Sequence, residues 1–503
     1  MVTPAYQPRQ PSETILYHVV AEHLETFLAT VAADPTATGL PTYVKEEFYA
    51  YLQCGLLAHG FVRLGCDTCP HQMLLAFSCK KRGFCPSCAG RRMAQQAAQL
   101  VEQVLPWMPM RQWVVSVPIP LRYWMAPSRE LTAQVHTIIR RTIGQYYVKQ
   151  AVKQGATRAR VQPGSVTFLQ RFGGSINLHL HFHLVFLDGV YEDRTAKGLK
   201  PRFRPQEAPT DAAVATVLDT ISQRVIRYLR KRGYLEAGTE DVVPAGYDPA
   251  HDDDPELART MAASVQQHIA FGERAGQKVR RIGSGFGYNG ESPSLSGPRC
   301  ASVNGFSFAT ASAIGPKGLS LHANTHVPAH RRDQLERLLR YTARGAVSLE
   351  RLDINADGDL LYTFTRPWSD GTTGIKLSPL ELLEKLAALV PLPRLHQVRY
   401  GGCLAPHSKL RAHIIPTPRQ QGVEALKGST ASPNWTWAQL LKRVFAIDME
   451  RCPMCQQGTL RIIAAITEVR VIQKILRHLK LAVDPPPIAP AQQAAFAWEF
   501  SSP

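Results

Sequence analysis

Residues 176–191 read INLHLHFHLVFLDGVY, with Leu180, Phe182 and Leu184 alternating with His179, His181 and His183. A repeat of two is the signature of a β-strand, whose successive side chains leave on opposite faces. The chain must therefore hold a sheet in which this strand packs its leucines and phenylalanine into a core. Its other face then carries three imidazoles into a cleft, where neutral rings can bind a divalent cation.

The segments around that strand mix the two periodicities. "SETILYHVVAEHLETFLATV", "RRMAQQAAQLVEQVL" and "LTAQVHTIIRRTIGQYYVKQA" place apolar residues at helical spacing, the first with Ser12 as its expected N-cap. "QWVVSVPI" and "GSVTFLQRF" read as strands. Further on come a helix in "RRDQLERLLRYTARG", a strand pair around Gly358, and a leucine-rich helix in "SPLELLEKLAALV". The expected class is α+β on an antiparallel sheet.

A formal net charge of +18 over 503 residues points to a polyanionic partner, nucleic acid before an anionic membrane surface. The start lacks a basic region followed by an apolar one, and no charge-free apolar run reaches bilayer length. A cytoplasmic protein without a membrane span is expected, its ten cysteines serving as thiols or metal ligands.

"GCDTCPHQMLLAFSCKKRGFCPSC" contains two Cys-x-x-Cys turns, Cys66 with Cys69 and Cys85 with Cys88. Each such turn aims two thiolates at one ion, so the expected structural Zn²⁺ site is this quartet. Cys79 is a fifth thiol that could replace one member, and His71 is a further candidate. Arg82, Arg91 and Arg92 surround the module as candidates for DNA phosphates. "RCPMC" adds a second pair, Cys452 and Cys455, for which only Cys300 and Cys403 remain as partners by elimination.

"HLHFHLV" fits both the histidine-triad nucleotide hydrolase pattern and the His-hydrophobic-His metal motif of HUH single-strand nucleases. The wider chain separates the two. "AFSCKKRGFCPSCAGRRMAQQAAQLVEQVLPWMPMRQWVVSVPIPLRY" resembles the N-terminal zinc-binding region of the rolling-circle transposases typified by insertion sequence 91. "LQRFGGSINLHLHFHLVFLDGVY" resembles their HUH strand, and "LERLLRYTARGAVSLERL" and "LVPLPRLHQVRYGGCLAPHSKLR" resemble the segments that follow. The resemblance runs from about residue 45 to 480.

It implies a tyrosine that cleaves single-stranded DNA at transposon ends, leaving a 5′-phosphotyrosine and a free 3′-hydroxyl. The HUH pair falls on His181 and His183, which would hold Mg²⁺ or Mn²⁺, with Gln170 or His179 as third ligand. Asp188 reads as a turn residue closing the strand. The nucleophile falls on Tyr341, flanked by Arg340 and Arg344 as phosphate contacts; Tyr146 and Tyr147 are competitors that read as helix filling. Some relatives carry a second tyrosine where this chain has Arg337, which makes it a one-tyrosine variant. Where the family often has Arg-Pro-Pro, this chain has Arg344, Gly345 and Ala346.

The expected organisation is a helical region over 1–60, a zinc ribbon over 61–92 and an HUH palm over 93–235. An acidic and Gly/Ser-rich insertion over 236–300, the tyrosine helix and remainder over 301–415, and a tail region with the second cysteine pair over 416–503 complete it. A homo-oligomer acting at the nucleoid of a bacterium is the expected setting. The rival readings are a replication initiator or relaxase-type nickase, and a non-catalytic zinc-dependent DNA-binding protein.

Overall fold

The computed structural model describes residues 9–33, 37–236, 254–283, 300–302, 318–416 and 448–492. Most of the acidic stretch, much of the Gly/Ser-rich segment and the last residues of the tail lie outside them. The strands are β1 (Phe61–Cys66), β2 (Gln72–Ala76), β3 (Met110–Ser116), β4 (Val161–Phe172), β5 (Leu178–Glu192), β6 (Arg202–Pro205), β7 (Arg280–Ile282), β8 (Cys300–Ser302), β9 (Ser320–His322), β10 (His326–Val327), β11 (Leu352–Ile354), β12 (Leu360–Thr363), β13 (Gly374–Leu377), β14 (Val398–Gly402) and β15 (Leu460–Ile466).

The largest sheet runs β14-β4-β5-β3-β9-β8, with β6 added to β5 and β10 to β3, and every pairing is antiparallel. The histidine strand β5 lies inside it between β4 and β3. Helices flank the sheet, so the class is α+β.

Alternation along β5 divides two cores. Leu180, Phe182, Leu184 and Phe186 enter one, together with Trp113, Ile139, Ile143 and Tyr147. Val185 and Leu187 face the other, with Val166, Phe168, Leu335 and Leu339. Leu335 and Leu339 belong to the helix Arg332–Thr342, which therefore packs on the histidine face.

Two local readings change. The first helix starts at Ile15, where the Thr14 side chain accepts from the Tyr17 amide. Ser12 instead sits in a 3₁₀ turn beginning at Pro11. Asp188 is not a turn residue, because β5 continues to Glu192. Buried Asp188 accepts from Arg111 Nε at 2.9 Å and Nη2 at 2.7 Å, and from the Tyr147 hydroxyl at 3.1 Å. The neighbouring Gly189 serves close strand approach: a Cβ there would lie 2.3 Å from the Arg204 carbonyl oxygen.

A second sheet joins the two ends of the chain. Its order is β15-β1-β2, so the strand after Cys455 pairs with the N-terminal ribbon. The third sheet, β11-β12-β13-β7, contains the expected strand pair around Gly358, whose φ of +81° suits glycine.

Candidate active site and metal centres

The sheet register builds the site. His181 lies opposite Gln170 on β4 and Ser116 on β3; His183 lies opposite Phe168 and Val114. Directly opposed residues share a face, so Gln170 and the histidines look the same way. Ring centroids are 5.0 Å apart for His179–His181 and 4.9 Å for His181–His183.

Hydrogen bonds at Nδ1 decide which ring nitrogens are free. His181 Nδ1 faces the His179 carbonyl oxygen at 2.9 Å, which can only accept, so the proton belongs on Nδ1 and the Nε2 lone pair is left for a ligand. His183 Nδ1 faces the Gln112 amide at 2.8 Å, and its buried Nε2 has no partner. For Nε2 to bind a cation, the carbonyl end of Gln112 must accept from Nδ1–H. Burial pushes His181 down to about 4 and His183 down to about 3, and lowers His179 well below the usual imidazole value. All three are neutral near pH 7, as metal ligation requires.

Gln170 connects the histidine face to the tyrosine helix. Its Nε2 donates to the Thr342 carbonyl at 2.7 Å and the Tyr341 carbonyl at 3.3 Å, while its buried Oε1 has no partner. The helix buries Leu335, Leu339 and Thr342, while Tyr341 is 52% exposed. The Tyr341 ring meets the His183 ring edge to face at 5.9 Å. The Arg344 guanidinium stands 4.7 Å over the Tyr341 ring and 5.6 Å over Phe172.

The other arginines divide. Arg340 pairs with Glu336 at 2.7 Å and Arg337 with Asp333 at 2.9 Å, each one helical turn back. Arg82 donates to the Leu395 carbonyl and Arg92 to the Lys81 carbonyl. Arg82, Arg92, Gln170 and Arg344 nevertheless line one cavity of about 60 Å³ between the cysteine module and the tyrosine helix. Tyr147 is sealed in the core, donating to Asp188 and accepting from Trp113, so it cannot reach a phosphate. Gly345 packs where a Cβ would lie 2.6 Å from the Ala89 Cβ, which keeps the chain after the tyrosine helix close to the helix Pro86–Gln99.

The cysteines do not assemble as the spacing suggests. Cys85 and Cys88 meet Cys54 and Cys79, while Cys66 and Cys69 meet Cys452 and Cys455; within each group the ligand atoms lie within 4.8 Å of one another. Strand β2 separates the two knuckles, and its five residues span roughly 16 Å, too far for one ion. Closest sulfurs are 3.3–3.7 Å apart, near the roughly 3.8 Å edge of a tetrahedral four-sulfur zinc site. Cys403 is buried in the core beneath the sheet, His71 joins neither group, and the Cys300 side chain lies outside the described residues. Cys54 and Gln112 escaped the sequence reading; Cys54 has no paired spacing, and a single glutamine in an apolar strand names no partner.

A groove of about 1290 Å³ runs beside the β15-β1-β2 sheet. Arg9, Arg63, Lys80, Arg91, Lys474 and His478 stand around a floor that includes Met73, Leu74 and Leu75, and no described acidic residue lines it. Among the described residues no helix is long and apolar enough to cross a membrane.

Two comparisons with protein families agree with this layout. A family described as "Transposase zinc-binding domain" matches residues 19–117, and one described as "Putative transposase" matches residues 164–411. The first span holds Cys54 through Cys88; the second holds most of β4, all of β5 and the tyrosine helix. No curated protein and no solved structure matches the chain. With a transposase zinc-binding domain followed by a transposase domain, the chain has the architecture of an insertion sequence 91-like transposase.

Proposed function

We propose that this transposase nicks and rejoins single-stranded DNA through a phosphotyrosine at Tyr341, during rolling-circle transposition. The observation that carries the reading is the edge-to-face contact of Tyr341 with His183, on the face where His181 and Gln170 stand opposite each other.

The donor set suits a divalent cation. His181 and His183 offer neutral imidazole nitrogens, and Gln170 Oε1 is a buried acceptor without a partner. Mg²⁺ or Mn²⁺ bound there would polarise the scissile phosphate and neutralise charge on its non-bridging oxygens. Gln170 is favoured over His179 as third ligand by its place opposite His181.

The protein's own residues do the rest. Tyr341 Oη forms a new bond to phosphorus as the P–O3′ bond breaks, and the phenolic proton ends on the released 3′-hydroxyl. One phosphodiester replaces another, so the reverse step can rejoin strands without ATP. Arg344 places positive charge beside the incoming phosphate, where it stabilises the transition state. Gln170 holds the last turn of the tyrosine helix by two carbonyls, which fixes the approach of Tyr341. Because Arg337 occupies the second tyrosine position and pairs with Asp333, a full cycle reuses Tyr341 or recruits a second protomer.

The basic groove and the Arg82–Arg344 cavity suit single-stranded DNA, the first by its charge and apolar floor, the second by its size for one phosphate. The test is incubation with labelled single-stranded element ends and Mn²⁺, resolved on a denaturing gel. A covalent protein–DNA band that needs the cation supports the reading. Tight DNA binding with no band on any end sequence rejects it in favour of a binding protein.

A further inference from the structure

Cys452 and Cys455 lie outside both matched spans, 19–117 and 164–411, yet they complete a four-thiol group with Cys66 and Cys69. The two sequence-distant knuckles face each other with Cys66–Cys455 and Cys69–Cys452 both at 3.7 Å. That spacing is too long for a disulfide and suits four thiolates around one ion.

The backbone is arranged for thiolates. The Thr68 amide donates to Cys66 Sγ at 3.4 Å, and the Gly458 amide donates to Cys455 Sγ at 3.3 Å. Gly458 is also forced: a Cβ there would lie 2.4 Å from Cys66 Sγ. Asp67 ties the knuckles from outside, accepting from the Thr459 amide at 2.8 Å and hydroxyl at 2.6 Å.

Apolar packing at this junction is thin. One small core holds Leu64, Met449, Cys452 and Leu460, and a second holds Phe61, Ile472 and Leu476, while Ile462 and Ile463 on β15 are about half exposed. Cores this small are commonly reinforced by a metal or a cross-link.

We propose that Cys66, Cys69, Cys452 and Cys455 bind a second structural Zn²⁺, which clasps the C-terminal strand and helix onto the N-terminal ribbon. The clasp also completes the basic groove. The helix Val469–His478, which follows β15, supplies Lys474 and His478 to a wall whose other cations come from Arg9, Arg63, Lys80 and Arg91. The proposal is independent of the cleavage chemistry and stands or falls apart from it.

The experiment is a zinc count by native mass spectrometry on the full chain, with alkylation mapping of each cysteine and hydrogen exchange along β15. The expected result is two zinc ions in the wild type and one in the Cys452→Ser/Cys455→Ser variant, with β15 amides exchanging at least about tenfold faster. A variant that keeps two ions, or a wild type with disulfides among these four cysteines, overturns the proposal. Should the double variant fail to fold, the wild type decides. Cys66, Cys69, Cys452 and Cys455 protected from alkylation until a chelator is added support the clasp, and one ion with these four alkylated overturns it.

Discussion

Gln170 Nε2 donates to the Thr342 carbonyl at 2.7 Å, and the same amide's Oε1 is buried without a partner on the histidine face. One side chain thus binds the tyrosine helix with one atom and can ligate a cation with the other. Gln170→Glu keeps the shape and an acceptor but loses the donor. Its covalent DNA adduct should fall by roughly tenfold or more at equal Mn²⁺, as expected when a nucleophile is misplaced. Unchanged yield across a Mn²⁺ titration would show that the helix is held without Gln170.

Gln112 supports the site through His183 Nδ1. Gln112→Leu removes the group that sets the ring's tautomer and orientation. Second-contact losses of this kind typically weaken a metal site by about 10–100-fold. The Mn²⁺ concentration for half-maximal adduct should rise by that order, with yield recovering at high Mn²⁺. A variant whose yield falls but whose Mn²⁺ dependence does not move would assign Gln112 a packing role only.

Arg111 and Asp188 form a buried pair, each about 4% exposed, in contact with Tyr147. Removing one partner leaves an uncompensated charge, at a cost of about 3–5 kcal/mol. Asp188→Asn should therefore lower stability in urea unfolding by that amount, whereas Tyr341→Phe, on an exposed side chain, should change it by less than about 0.5 kcal/mol.

Burial lowers His136 and His183 to about 3 and His181 to about 4. The unfolded chain takes up these protons near pH 6.5, the folded chain only near 3–4. Stability from this source is fully present above pH 6.5 and is lost as pH falls from there towards 4. Urea midpoints measured between pH 7 and 5 should decline, and His136→Gln should flatten the decline by about one proton's worth of slope. An unchanged slope in that variant would mean that His136 titrates in the folded protein.

What could be read from the sequence was local. The alternation of His179–Leu184 specifies a strand and its two faces, and the residue spacing before Tyr341 specifies a basic amphipathic helix. Partner choice across long separations could not be read. Nothing in Cys66-x-x-Cys69 says that its complement begins at Cys452 rather than Cys85, because only the β15–β1 pairing brings them together. Asp188-Gly189 reads as a turn by composition, yet the tertiary demand for a charge opposite Arg111 and for close contact with β6 prevails. Gln170 could be named from its position before the Gly173–Gly174 turn, but its bond to Thr342 depends on a helix brought in from much later in the chain.

The central claim is that Tyr341 is the nucleophile, and the most direct measurement is tandem mass spectrometry of the DNA-linked peptide after digestion of the adduct with trypsin and nuclease. A nucleotide 5′-phosphate on Tyr341, absent from His181→Ala, is the predicted result. A nucleotide on any other tyrosine, or a strand cut with no protein attached, would contradict it.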